Sequence, residues 1–212
     1  AYLSEIKPVF YYQFQTPKVT AAAGIFTRDM MHDDDYSTAF FSESERFFHN
    51  RMNGVLAQYN GKRNSYVEFV CDWEGMYSTL SREKFRILLA GRHYLDTFYY
   101  GFNYSMFHYA GQQGAPIENV VDLQLLTPCV GVRFNAFFDF DIKLGALLTA
   151  QRDRSFGHSW EKPCMGEFAF RISRWGLSLD ERLYVGDNIH PFFYGHELED
   201  GTPLPYGREL YP

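Results

Sequence analysis

One stretch limits this chain more than any other, the alternation over residues 137–152, FFDFDIKLGALLTAQR. Phe138, Phe140, Ile142, Leu144, Ala146, Leu148 and Ala150 share one parity; Asp139, Asp141, Lys143, Gly145, Thr149 and Gln151 share the other, with Leu147 the apolar intruder. A strand points successive side chains to opposite faces, so this is a strand with one greasy side and one charged side. Helical spacing would scatter Asp139, Asp141 and Lys143 among the apolar residues. The run is also long. Strands of globular proteins average about 5–6 residues, whereas a tilted membrane-crossing strand needs about 9–11. An open sheet would hold the charges in bulk water; a closed barrel can turn them toward a polar lumen and the apolar parity toward lipid.

The 212 residues suffice for one domain of barrel or sandwich size. A net charge of −6, with no basic run longer than Lys62-Arg63, argues against nucleic acid as a partner. Aromatics make up 19% of the chain, which fits either the interfacial belts of a bilayer or a Phe/Tyr-rich soluble core. No run approaches the roughly 18 apolar residues of a spanning helix, so a membrane crossing would have to be a closed barrel. Cys71, Cys129 and Cys164 have no metal-ligand spacing and read as isolated thiols.

Taken in order, Ile6 to Gln15 predicts a strand with Pro8 near its start, and Thr20 to Arg28 a second. The acidic segment Asp29 to Asp35 reads as a loop. Over 43–58 a short helix competes with a strand: Phe48, Met52, Val55, Leu56 and Tyr59 have helical spacing, but Gly54 interrupts them and Asn60-Gly61 is a hairpin signal. The strand ending at Tyr59 is the better reading. Tyr66 to Tyr77 sets Val67, Phe69, Cys71 and Trp73 against Glu68, Asp72 and Glu74. Lys84 to Tyr94 sets Phe85, Ile87 and Leu89 against Lys84, Arg86 and Arg92, so a hairpin of the two would place three acids opposite three bases. Phe98 to His108 alternates as well. Val120 to Phe134 changes parity across Thr127-Pro128, which reads as a β-bulge. Met165 to Ser173 and Gly176 to Gly186 complete about ten strands (8–12), the signature of an antiparallel up-and-down β-barrel in a single domain over 1–212, with 187–212 as loop or tail.

This pattern assigns two sets of residues. Glu68, Asp72, Glu74, Lys84, Arg86, Arg92, Arg133, Asp139, Asp141, Lys143 and Arg171 form an expected charge network in the lumen. Phe138, Phe140, Ile142, Leu144, Phe168 and Phe170 are the expected lipid-facing residues. A soluble ligand-binding barrel or sandwich, in which those apolar residues are buried, is the competing class.

Asp72-Trp73-Glu74-Gly75-Met76, Arg82-Glu83 with Phe85-Arg86, Gly91-Arg92, Phe107-His108-Tyr109-Ala110-Gly111, Gln151-Arg152-Asp153-Arg154, Lys162-Pro163, Gly166-Glu167-Phe168, Trp175-Gly176, Gly186-Asp187 and Tyr206-Gly207 carry a further likeness. Together they resemble a poorly characterised family of outer-membrane β-barrel proteins of Bacteroidetes-type Gram-negative bacteria, over roughly Tyr66 to Pro212. The resemblance implies fold and an outer-membrane location, and it transfers no functional residue.

Candidate chemistry is sparse. Adjacent His158 and Ser159 diverge on an extended chain, and Ser105, His108, His93 and Glu74 would have to converge from different strands to act as a catalytic set. Asp29 with Asp33, Asp34 and Asp35 offers oxygen ligands for Ca²⁺ but lacks the Gly and distal Glu of an EF-hand loop, and His190 and His196 lie in an acidic tail. A solvated surface is the better reading of both, so no cofactor and no metal is expected. The expected function is a structural or accessory outer-membrane component with a plugged or narrow lumen, docked to a larger outer-membrane complex. Its partners are then lipid and another membrane protein. A narrow solute channel is the alternative, followed by a lipid-modifying barrel enzyme. Because a closed barrel must pair its first and last strands, the prolines after Gly186 lead to a further expectation, closure by strands following Pro212.

Overall fold

The structure is a computed structural model that describes residues 8–32, 35–36, 40, 50–114, 120–154, 159–187, 192–197 and 203–205. Ten strands follow one another: β1 (Phe10–Gln15), β2 (Val19–Thr27), β3 (Arg51–Asn60), β4 (Tyr66–Gly75), β5 (Lys84–Leu95), β6 (Phe98–Tyr109), β7 (Val121–Asn135), β8 (Asp139–Asp153), β9 (Cys164–Arg174) and β10 (Leu177–Gly186). They form one antiparallel up-and-down sheet in chain order. A separate ladder joins β11 (Phe192–Glu197) to β12 (Pro203–Pro205). Among the described residues β1 and β10 form no ladder with each other, so the sheet is open along that seam.

The two ends of the sheet differ. Residues 16–18, 61–65, 96–97, 136–138 and 175–176 make short turns at one end, while 28–50, 76–83, 110–120 and 154–163 make longer links at the other. Two of these turns are two residues long, and one of them, Trp175-Gly176, holds both residues at positive φ, as a type I′ hairpin requires. Asn60-Gly61 also lies at a hairpin, but the turn spans 61–65 and its left-handed positions are Arg63 and Asn64.

One competing reading drops out and one expectation needs correction. Residues 51–58 of the competing helix are strand; 43–49 lie outside the described residues. Met52 and Leu56 point to one face of β3 and are buried, while Val55 and Tyr59 point to the other and are exposed. Apolar residues on both faces imitate helical spacing. The parity change in β7 is not a bulge, because its register to β6 and β8 runs unshifted across Thr127-Pro128. Val121 and Leu125 pack inside and Val130 and Phe134 face out, so the apolar face of the strand itself switches. A register shift does occur in β4 between Trp73 and Gly75, with Glu74 as the extra residue.

The sheet curls strongly. One apolar cluster joins Ala22 and Phe26 of β2, Met52 and Leu56 of β3 and Val70 of β4 to Leu88 and Ala90 of β5, Leu125 of β7 and Leu147 of β8. Met31, Tyr36 and Phe40, from the link after β2, complete it from the concave side. Tyr11, Gly24, Gly54 and Asp72 lie directly opposite one another across β1–β4. A Cβ on Gly54 would overlap the carbonyl oxygen of Cys71, so this is a point of closest approach between strands. Gly54→Ala is therefore expected to lower stability by about 3 kcal/mol, the upper end of the usual overpacking cost. Denaturant unfolding measures this, and a midpoint equal to that of the wild type would contradict the close approach.

Candidate functional site

The concave face is where the charges collect. Cross-strand register gives Glu68, Asp72, Lys84, Arg86, Arg92, Arg133, Asp139, Asp141, Lys143 and Arg171 one parity, shared with buried Tyr99, Asn103, Thr127, Gln151 and Glu167. Glu74, at the register shift, is the one member of the expected network outside the regular ladder. Asp72 lies opposite Arg86 as the hairpin pattern predicts, but Glu68 lies opposite Ala90 and Arg92 opposite Tyr66. Three acids against three bases is thus realised at one cross-strand position only.

Glu68 and Arg92 instead take their partners from the link after β2. The fully buried Glu68 carboxylate accepts from Gln58 Nε2 at 2.6 Å, from the Tyr36 hydroxyl at 3.0 Å and from the His32 backbone N–H at 3.0 Å. His32 Nδ1 lies 3.1 Å from the same carboxylate, and its ring stacks on Tyr66 with centroids 3.7 Å apart. Arg92 ion-pairs with Asp35, which also accepts from the Tyr66 hydroxyl at 2.7 Å. These bonds hold the link against the inside wall of β3–β5.

Ion pairs continue around the curl. Asp141 accepts from Arg133 at 2.6 Å and from the Tyr99 hydroxyl at 2.7 Å. Lys143 lies 3.2 Å from Glu167, which also accepts from the Tyr184 hydroxyl at 3.2 Å. Arg171 lies 3.5 Å from Asp180. Arg182, on edge strand β10, donates to the Tyr36 carbonyl at 3.4 Å and so links the last strand of the sheet to the inserted segment. Between these groups, toward the short turns, is a cavity of about 960 Å³ lined by Tyr66, Arg92, Tyr99, Arg133, Lys143 and Arg182. Its cations and anions are nearly balanced, and most are already paired.

The convex face has the opposite character. Phe140, Ile142, Leu144, Phe168 and Phe170 lie on it, whereas Phe138 sits in the turn before β8, edge-on to Phe137 and Phe140. The same face carries Phe10, Tyr12 and Phe14 of β1, Val67, Phe69 and Trp73 of β4, and Phe98, Tyr100 and Phe102 of β6, all exposed. Leu177, Leu179, Leu183 and Val185 of β10 continue it. Glu181 on β10 is charged within this band, and Arg51, Asp122, Arg152 and Arg174 share its face nearer the strand ends.

Ser105 and the two histidines do not converge into a catalytic set. Ser105 has concave parity and His108 and His93 convex parity, the two histidines at opposite ends of β5–β6. No group of metal-ligating side chains occurs among the described residues. His158, His190, Asp33 and Asp34 lie outside them. Sequence reasoning missed Asp35, Glu167 and Asp180 as carboxylate partners, and His32. Glu167 and Asp180 share the parity of Arg171, a signal that was present; no periodicity marks Asp35 or His32 as turned inward. No protein-family model matches the chain, and no curated protein or solved structure shows significant similarity to it.

Proposed function

We propose that this chain forms the wall of an outer-membrane-type β-barrel with an occupied interior, and that it acts as a structural or accessory membrane component rather than as an open pore. One observation carries the reading: large apolar side chains cover the outside of the sheet although its inside already holds a buried core. The convex face is a nearly continuous apolar band, and the concave face holds the ion pairs beside the buried apolar cluster. Exposed apolar patches on soluble monomers rarely exceed a few hundred Å², and this band runs across all ten strands.

Two further features support it. Short turns at one end and longer links at the other match the asymmetry of outer-membrane barrels. From Phe85 to Leu95 on β5 is about 33 Å along the strand at ~3.3 Å per residue, or about 25 Å of height at a tilt near 40°. That is the height of the apolar band in such barrels.

The occupied interior follows from Met31, Tyr36 and Phe40 packed against the inner wall, held by Glu68 and Arg92. Planar-bilayer recording tests it. Conductance well below the nanosiemens scale of general porins is expected, and nanosiemens steps would overturn it. With the inner wall of β3–β5 covered by the inserted segment, the convex band and the long links remain for contact with a larger complex. Recovery from gently solubilised membranes only as a free monomer would refute the accessory role.

A further inference from the structure

On the convex face, near the long links, one row of directly opposed residues crosses five strands: Trp73, Phe85, His108, Asp122 and Arg152. Its first half is aromatic. Trp73 stacks on Phe85 at 5.1 Å, and Phe85 meets His108 at 5.2 Å. Its second half is cationic. A single carboxylate, Asp122, receives His108 Nδ1 at 2.8 Å, Arg152 at 2.5 Å and Arg154 at 3.0 Å. Both guanidiniums converge on the same oxygen, Oδ2, and Arg152 also lies 4.5 Å over the Trp160 ring.

One carboxylate cannot neutralise two guanidiniums, so among the described residues the cluster has a net positive charge even with His108 neutral. Each arginine keeps donors that Asp122 does not take, and the Arg154 side chain is 43% exposed. Arginine forks match phosphate oxygens in a bidentate manner. Below it, toward the middle of β6–β8, the next row of the same face is Met106, Gln124 and Ala150, and the one after it Tyr104, Leu126 and Leu148.

A net-positive fork at the rim of an apolar band fits one kind of ligand. We infer that Arg152 and Arg154, set by Asp122 and flanked by His108 and Trp160, form a binding site for the phosphate of a membrane lipid headgroup in the leaflet on the long-link side. This inference rests on the membrane reading above. The aromatic half of the row marks the interface level, and the acyl chains would lie along the band.

The test uses the full chain in detergent micelles, with lipid A and its enzymatically dephosphorylated form as probes and native mass spectrometry as the readout. Wild-type protein is expected to retain the phosphorylated lipid at least ~10-fold better than the dephosphorylated one. Arg152→Gln/Arg154→Gln should abolish the preference, and Arg154→Gln alone, at the exposed position, should reduce it several-fold. If the double variant fails to fold, the single variant and the wild-type comparison between the two lipids still decide. Equal retention of both lipids by the wild type, or an undiminished preference in the folded variants, overturns the site. Full displacement by millimolar inorganic phosphate would mark a free-anion site and likewise overturn it. Flotation with zwitterionic vesicles separates the two claims: insertion without phosphate preference sinks only this inference, whereas failure to insert removes the membrane reading beneath it.

Discussion

Glu68→Ala is expected to destabilise the protein by about 3–5 kcal/mol, the range for removing one partner from a buried charged network. Glu68 has no exposed surface, and its two oxygens serve Gln58, Tyr36 and His32. Truncation leaves these donors buried beside a void, and each unsatisfied group costs about 1–3 kcal/mol. Glu68→Gln keeps one acceptor while setting a new donor against existing ones, so an intermediate loss is expected. Denaturant unfolding followed by tryptophan fluorescence gives both values. A loss under about 1 kcal/mol for the alanine variant would mean that the carboxylate does not hold the link after β2 in place.

The second large effect concerns the convex face. Leu144 lies near the middle of β8 and is 57% exposed. If lipid covers that position, Leu144→Arg should cost about 2–4 kcal/mol in a bilayer, because charge on the lipid face is most expensive at the midplane. If water covers it, the same change should stay within about ±0.5 kcal/mol, as for ordinary surface positions. Gln124→Arg is the control. Gln124 has the same convex parity but lies near the long-link end of β7, where an arginine should cost only ~0–1 kcal/mol. Folding titrations into phospholipid vesicles measure both, and equal costs at the two positions would argue against depth dependence.

Most of the sheet could be read from the sequence because strand parity is a local property. The alternation over residues 137–152 placed Asp141, Lys143, Ile142 and Leu144 on the faces where the register has them. Reading failed where a face changes character along one strand. In β7 the apolar residues move from inside to outside without any shift of register, and a bulge was inferred where none exists. At β3, where apolar residues on both faces look helical, Gly54 and the Asn60-Gly61 turn, not alternation, pointed to the strand that forms.

Both members of Arg133–Asp141 were legible, but most of the network could be read on only one side of each pair. Arg92 and Glu68 have the parity of inward charges, but Asp35, His32 and Tyr36 belong to a link with no period. Their position depends on the strong curl at Gly24 and Gly54, where opposed strands approach too closely for a side chain. A single glycine in a strand pattern signals close approach or a bulge. That two of them pair with each other cannot be known before the register is.

Accessibility scanning along β8 tests the central claim most directly. Single spin labels would be placed in turn at Phe140, Asp141, Ile142, Lys143 and Leu144 of protein folded into phospholipid vesicles. Collisions with oxygen, which partitions into lipid, are compared with collisions with a water-soluble nickel chelate. Labels at 140, 142 and 144 are expected to meet oxygen and be shielded from nickel, with the opposite trend at 141 and 143. Nickel access at 142 and 144 equal to that of a water-exposed turn would contradict a lipid-facing convex surface.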